Sequence, residues 1–181
     1  MSPTQFPSIE WTFPLVLVLL FGCSINKEMS TESIPAVKSF DLQRYLGTWY
    51  EAARLPQSFE NGLIKVTATY TAHDDGKITV LNKGFDTAKG EWKEANGKAR
   101  WKDTTAGALL EVSFFWIFYA DYKVIDLDTI NYSYAMVTSS SKKYLWILSR
   151  TPHLDDAMYH TLIRKAGEWG FNDSAIYKVP Q

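Results

Sequence analysis

Short stretches in which apolar and polar residues alternate follow one another from about residue 47 to residue 150. Residues 63–71 are an example, because every second residue from Ile64 to Tyr70 is apolar. This period of two is expected of a strand with one buried face. Turn residues such as Asp75 and Gly76 separate the stretches at intervals of about ten residues, a spacing typical of an antiparallel sandwich or barrel.

The alternation predicts eight strands, and eight is the number that closes a barrel around one small ligand. Asn96 and Gly97 lie inside the fourth strand and are interpreted as a bulge or tight bend in a long strand, although the sequence also allows a separate connection. The predicted strands are residues 48–54, 63–71, 77–85, 91–101, 109–115, 119–127, 132–139 and 143–150.

After the eighth strand the period changes to that of a helix. Asp155 and Asp156 suit a helix N-terminus, where negative charge is favoured, and Gly170 supplies the stop. Residues 175–179 are predicted as a short closing strand. One helical face collects the apolar residues Met158, Leu162, Ile163, Ala166 and Trp169.

Leu145 and Ile147 give the eighth strand an apolar outer face on which this helix can pack. The predicted fold is therefore all-β: an eight-stranded antiparallel up-and-down β-barrel with a C-terminal α-helix packed outside it.

Residues 15–22 form a short apolar run that ends at Cys23. The run is too short to span a bilayer and has the length of a signal-peptide core. Leu20-Phe21-Gly22-Cys23 resembles the lipobox of bacterial lipoproteins, although Phe21 is bulky for that motif and residues 1–14 contain no Lys or Arg. The resemblance implies that Cys23 becomes an acylated N-terminal residue, an N-palmitoyl and S-diacylglycerol cysteine. A secretory signal or tethering helix with an incidental buried cysteine is the alternative.

Residues 24–38 are polar and lack apolar periodicity, as expected of a tether. The predicted organisation is a signal peptide (1–22), a lipidated N-terminus and tether (23–39) and one folded domain (40–181). Ser24 is not the Asp that retains lipoproteins in the inner membrane, so the resemblance implies the bacterial outer membrane, with the domain facing the periplasm.

Three short motifs occur in order along the predicted barrel. Gly47 and Trp49 begin the first strand, Asp121 and Tyr122 lie in the sixth, and Arg150 ends the eighth. In this order and spacing they resemble the signatures of the lipocalin family, in particular its bacterial, apolipoprotein D-like subgroup, over residues 40–179. The resemblance implies a structural role: Gly47 turns the chain, Trp49 plugs the closed end, and Arg150 lies across the indole.

Alternation places a set of largely apolar residues on the inner face of the barrel, where they are candidates for contacts with an apolar ligand. Packing of a filled barrel core is the alternative for each of them. Residues 115–118 add an apolar run at the open end, for which a narrower entrance and a membrane-facing rim are both possible. The candidates are Val66, Ala68, Tyr70, Leu110, Val112, Phe114, Trp116, Tyr134, Met136, Tyr144 and Trp146.

Composition narrows the function further. A net charge of -1 and the lack of a basic run argue against nucleic acid. His73, His153 and His160 fall outside the predicted barrel, so no cofactor, metal site or catalytic residue is predicted. The family resemblance implies binding, with storage or transport, of a fatty acid or lysophospholipid in membrane maintenance or stress. A lipocalin-fold enzyme and a dimeric interaction module are the alternatives, and a homodimer is compatible with binding.

Overall fold

The computed structural model describes residues 29–103, 107–115 and 117–181. Cys23, the predicted signal peptide and Trp116 lie outside this part of the chain. The described elements are α1 (Leu42–Tyr45), β1 (Gly47–Arg54), β2 (Leu63–Ala72), β3 (Ile78–Asp86), β4 (Glu91–Asp103), β5 (Leu109–Phe115), β6 (Phe118–Leu127), β7 (Tyr134–Thr138), β8 (Leu145–Ser149), α2 (Asp156–Glu168) and β9 (Tyr177–Lys178), with short 3-10 turns at Ser58–Glu60 and Asp173–Ala175.

Strands β1 to β8 form a closed antiparallel barrel. Each strand pairs with the next along the chain, and β1 also pairs with β8. The predicted eight-stranded up-and-down barrel is therefore confirmed. This connectivity puts alternate connections at opposite ends: the closed end carries α1 and residues 73–77, 107–108 and 128–133, and the open end carries residues 55–62, 87–90, 117 and 139–144.

The C-terminal residues complete the wall where β1 and β2 separate. These two strands pair only from Gly47 to Tyr50. Beyond that point β9 pairs with the end of β1, and the amide of Lys65 donates to the carbonyl of Pro180 at 2.7 Å. The Gln181 side-chain amide donates to the carbonyls of Glu51 and Val66, one on each strand. The tail therefore satisfies backbone groups that the seam would leave without partners.

Strand β4 is long and continuous, but the predicted bulge at Asn96 and Gly97 is wrong. The β3–β4 pairing runs without a shift from Ile78 to Asp86, and the irregularity of β4 lies between Trp101 and Asp103 instead. Gly97 has a packing reason, since a Cβ there would lie 2.7 Å from the Phe114 ring. The glycine thus permits close approach and does not mark a bend.

Helix α2 packs against the outside of the barrel, as the sequence predicts. The Asp155 carboxylate caps its N-terminus by accepting a 3.0 Å hydrogen bond from the amide of Met158. Leu162 and Ala166 are buried in one cluster with Leu145 and Ile147. The helix therefore covers apolar side chains on the outer face of the barrel that water would otherwise contact.

Residues 29–39, here called the N-terminal strap, pack along the barrel. At the open end Ser30 bridges to Ser141, and the Lys142 amide donates to the Met29 carbonyl at 2.7 Å. The strap then runs toward the closed end, where the Val37 amide donates to Val124 and the Val37 carbonyl accepts from Ala108. Residues 29–39, which the sequence assigns to the tether, therefore lie against the barrel wall.

Candidate functional site

Apolar side chains form two separate clusters, one on each side of the barrel wall. The inner cluster has a buried part, Tyr45, Trp49, Tyr70, Ile78, Val80, Ala99, Ala108, Leu110, Val124, Leu127, Tyr132, Ala135, Val137 and Leu148. Half-buried residues around it are Val37, Phe40, Leu42, Leu46, Ala68, Trp101, Val112, Phe114, Tyr122 and Trp146. The outer cluster, between wall, strap and α2, contains Ile34, Ala52, Ala53, Leu55, Ile125, Met136, Leu145, Ile147, Leu162, Ala166 and Phe171.

Trp49 and Arg150 occupy the closed end. The indole is fully buried and donates a 2.8 Å hydrogen bond to the Tyr45 carbonyl. The Arg150 guanidinium lies 3.8 Å from the ring centroid and donates to the carbonyls of Arg44 and Thr48. Gly47 has φ of +90° beside this guanidinium, a conformation that glycine adopts without strain. These residues hold the end of the barrel shut.

Three tyrosine hydroxyls meet just above the closed end. The Tyr45 and Tyr122 oxygens are 2.6 Å apart, and Tyr70 donates to Tyr122 at 2.8 Å. Burial raises the pKa of all three phenols, so they are neutral near pH 7. Asp121, which precedes Tyr122 in the second of the three sequence motifs, forms an ion pair with Lys102. The floor of the barrel is therefore polar but uncharged.

Most of the predicted cavity residues lie on the inner side of the wall. Tyr144 stacks on Trp146 with 6.1 Å between ring centroids. Val66 is buried, and its Cγ2 lies 3.2 Å from where Gly84 would carry a Cβ. The candidates that belong to the inner cluster are Ala68, Tyr70, Leu110, Val112, Phe114 and Trp146.

The predicted inward orientation of Tyr134 and Met136 is wrong. Met136 is fully buried in the outer cluster and Tyr134 packs against it, whereas Ala135 and Val137 belong to the inner cluster. Strand β7 has apolar residues on both faces, because the barrel interior covers one and α2 the other. Its sequence therefore has no alternation of polar and apolar residues that would show which side chains point inward. An assignment that is wrong by one residue turns every side chain of the strand to the opposite face.

The sequence also leaves several inner residues unassigned. Ile78 and Val80 on β3 are 2% exposed and belong to the inner cluster. Their alternation with Thr79 is a signal that could have identified them. Val124 and Leu127 on β6 are harder to predict, because a register shift between Val124 and Asp126 interrupts the alternation.

A buried ionic cluster lies beside Trp146 and is absent from the predicted site. Arg54, 3% exposed, donates to Glu51 Oε1 at 2.6 Å and to the carbonyls of Glu60 and Leu63 at 2.7 and 3.0 Å. Its Nε lies 3.9 Å from Glu60 Oε2. The Trp146 indole donates to the Glu60 carboxylate at 3.2 Å, which connects the cluster to the aromatic wall.

Two carboxyl groups share the single guanidinium of this cluster. Burial raises the pKa of Glu51 to about 8, with a further rise from the charge of Glu60 and an opposing effect of Arg54. Burial also raises the pKa of Glu60, against the lowering effect of Arg54 and of the Trp146 hydrogen bond. Near neutral pH the two carboxyl groups beside Arg54 therefore share an extra proton.

Two grooves on the outer surface surround the C-terminal tail. One is bordered by Pro152, Asp155, Asp156 and Lys178, and the other by Trp92, Lys83 and Gln181. The Lys178 ammonium lies 2.9 Å from the Asp156 carboxylate, so the charges of the first groove already satisfy each other. Neither groove opens into the inner cluster.

The three histidines lie on the surface. His73 is 3.1 Å from the hydroxyl of Thr79 across a hairpin, and His160 faces solvent on α2. No group of three or more His, Cys, Asp or Glu residues in the described ranges is arranged to hold a metal ion. Among those same residues, no helix combines the length and the hydropathy that crossing a bilayer requires.

Residues 40–181 match the family described as the lipocalin-like domain. The outer membrane lipoprotein Blc of Vibrio cholerae is 46% identical over 167 residues, covering 92% of this chain and 95% of that protein. The Escherichia coli K12 protein of the same name is 45% identical and covers 90% of each chain. Apolipoprotein D of Macaca fascicularis is 35% identical over 75% of each.

Solved structures agree on the fold. Insecticyanin from the tobacco hornworm Manduca sexta superposes with a TM-score of 0.67 at 20% identity, covering 82% of this chain and 84% of that one. The family match spans most of the chain, and the matches to the two Blc proteins cover at least 90% of the length of those proteins. The chain therefore belongs to the lipocalin family.

Proposed function

We propose that this lipocalin is anchored to the bacterial outer membrane through Cys23 and holds the acyl chain of a fatty acid or lysophospholipid inside its barrel. The carrying observation is the inner cluster, in which buried and half-buried apolar side chains are grouped inside a closed ring of strands. In this role the protein stores or transports lipid beside the membrane that supplies it, in membrane maintenance or stress.

Incomplete burial of inner side chains supports an acyl ligand. Ala68, Val112, Phe114 and Trp146 pack against the inner cluster but keep part of their surface accessible to solvent. Covering such apolar surface with an alkyl chain is favourable by about 25 cal/mol per Å². The neutral tyrosines of the closed end suit an uncharged terminus, so the methyl end of the chain is expected to enter first.

The ionic cluster offers polar contacts for the head group. Arg54 is already bound by Glu51 and by two carbonyls, so it holds the carboxyl groups in place and has little capacity for a further anion. The Glu60 carboxylate accepts from the Trp146 indole beside the Tyr144–Trp146 stack, and it can accept a further hydrogen bond from a hydroxyl or ammonium group of a head group. A polar head group near these residues fits a single-chain lipid better than a hydrocarbon alone.

Anchoring and location rest on Cys23 and on the relatives. The two Blc proteins are named as outer membrane lipoproteins, and Ser24 follows the lipobox cysteine as the outer-membrane sorting rule requires. We place the domain on the periplasmic side. A homodimer stays a prediction, and catalysis has no support from the arrangement of the described side chains.

Native mass spectrometry of residues 24–181 tests the ligand. The protein is incubated with equal amounts of a fatty acid, a lysophospholipid and a diacyl phospholipid, and the retained masses are read directly. Retention of one single-chain lipid per barrel is the expected result. Retention of none of the three would contradict lipid binding and favour the interaction module, whose dimer mass the same spectrum reports.

A further inference from the structure

Exposed apolar side chains lie on two sides of the open end. Phe59 is 66% exposed, and Ile117 and Phe118 are 76% and 77% exposed. These three residues are here called the apolar rim. Phe59 lies in the connection between β1 and β2, and Ile117 and Phe118 lie at the turn between β5 and β6.

The two parts of the apolar rim lie across the mouth from each other. The closed order of the eight strands places the β1–β2 and β5–β6 connections half a turn apart. Large apolar side chains fully open to water are unfavourable unless a partner covers them. A partner that contacts both parts must extend across the whole mouth, as a flat surface does.

The N-terminal strap identifies that partner. Its first described residue, Met29, lies at the open end, where its carbonyl accepts from the Lys142 amide at 2.7 Å. Thr31, two residues later, is 1% exposed and bonds to the carbonyls of Ser139 and Ser140 in the same loop. The chain that precedes Met29 therefore starts from the mouth.

The length of that chain limits the orientation of the barrel. Cys23 precedes Met29 by six residues, which reach at most about 20 Å when fully extended. Strands β2 and β6 have ten residues each, so tilted strands give the barrel a height of about 25 Å before its loops are added. With the closed end on the bilayer, an anchor at Cys23 could not reach the membrane.

We infer that the apolar rim is a membrane-docking surface, which inserts into the leaflet that holds the Cys23 acyl chains and sets the mouth of the barrel against the lipid. This inference rests on the proposed anchoring for its geometry. Lys143 supports it, because this exposed residue on the 139–144 loop has no ion pair among the described residues and can meet lipid phosphates. A ligand then passes between bilayer and barrel without crossing water.

Ile117 and Ile130 allow a matched test. Ile130 is 78% exposed but lies in the connection between β6 and β7 at the closed end. Ile117→Cys and Ile130→Cys are each made in the full chain, whose Cys23 thiol is blocked by acylation, and labelled with a polarity-sensitive fluorophore. The acylated proteins are reconstituted in phosphatidylethanolamine and phosphatidylglycerol vesicles, with and without lipids that carry a quencher in the acyl chain.

The expected result is a blue shift and strong quenching for the label at position 117 and neither change at position 130. Equal signals at both positions, or quenching at 130 alone, would overturn the docking surface. A Phe59→Ser and Phe118→Ser double variant is expected to reduce the quenching at 117 while the protein stays in the vesicle fraction through its anchor.

A mass measurement of the same samples separates this inference from the proposed anchoring. An unacylated Cys23 would contradict the anchor. Docking is then measured with the Ile117→Cys and Ile130→Cys labels placed in the Cys23→Ser chain, with the same vesicles added in excess. A blue shift and quenching at 117 but not at 130 support docking. If the label at 117 shows neither a blue shift nor quenching in that titration, the docking surface is contradicted.

Discussion

Arg54 donates a 2.6 Å hydrogen bond to Glu51, three residues earlier on the same strand. In a regular strand, residues three apart face opposite sides. The register of β1 on β8 shifts between Glu51 and Ala53, and this bulge brings both charged groups to one side of the wall. A local irregularity thus creates the ionic cluster inside an otherwise apolar barrel.

Stability is expected to depend on the protonation of Glu51. Its pKa is raised to about 8 in the folded chain, so the folded state binds more protons than the unfolded state between the ordinary carboxyl pKa and about pH 8. The free energy of unfolding therefore falls as pH rises through this window. The fall is expected to be on the order of 2 kcal/mol from pH 5 to pH 8 in urea titrations.

The Glu51→Gln variant tests the assignment. Removing the ionisable group while keeping its shape should flatten the pH dependence, so that the variant gains stability relative to the parent chain at pH 8 but not at pH 5. Glu94→Gln on the exposed part of β4 is the matched control and should keep the slope of the parent chain. An unchanged slope in Glu51→Gln would show that another group binds the proton.

Arg150→Lys is expected to lower the free energy of unfolding by about 1–3 kcal/mol. Lysine retains the charge but loses the planar group that covers Trp49 while donating to carbonyls of Arg44 and Thr48. Chemical denaturation measures the change. Arg164→Lys, on the solvent side of α2 and paired with Glu168, should change stability by less than about 0.5 kcal/mol. Equal losses in the two variants would argue against a specific role for the closed end.

Ala68→Leu is expected to shorten the acyl chain that the barrel accepts. The added atoms enter the space beside the half-buried inner side chains, and a loss of about tenfold in affinity corresponds to 1.4 kcal/mol of lost fit. Competition between long and short fatty acids in native mass spectra should shift toward the short one. Ala157→Leu, at an exposed position of α2 outside the barrel, should leave the preference unchanged. The same shift in both variants would place the ligand elsewhere.

Met136→Ala distinguishes the outer cluster from the inner one. Met136 is fully buried beneath α2, so its truncation should cost about 2–5 kcal/mol of stability. Because its side chain lies outside the wall, affinity for an acyl ligand should not change in the folded protein. Leu110→Ala, on the inner side, is the comparison and should alter ligand binding. A selective loss of ligand binding in Met136→Ala would indicate instead that the Met136 side chain points into the barrel.

Much of the barrel follows from local patterns. The alternation in residues 63–71 and the turn at Asp75 and Gly76 specify β2 and its hairpin wherever the rest of the chain lies. Asp155 and Gly170 bound α2 in the same way, since capping acts within one turn of a helix. The Trp49–Arg150 contact was available only through the family resemblance, because 101 positions separate the two residues.

The features that the sequence does not reveal lie in segments whose surroundings decide their role. The strap looks like a polar tether, yet Thr31 and Ile34 are buried because the barrel wall offers them backbone partners and the outer cluster. Glu51 and Glu60 look like surface charges until the bulge in β1 and the adjacent loop enclose them around Arg54.

By itself, the amino-acid sequence determined the number and approximate bounds of the strands, the outer helix and the two ends of the barrel, because period, turn chemistry and capping act over a few residues. Only the tertiary structure decided the phase of β7, the burial of the strap and the position of the ionic cluster. These features depend on which second layer covers a strand and on single-residue register shifts. A register shift turns the side chains that follow it to the other face of the strand, and the local alternation of residues does not show where the shift occurs.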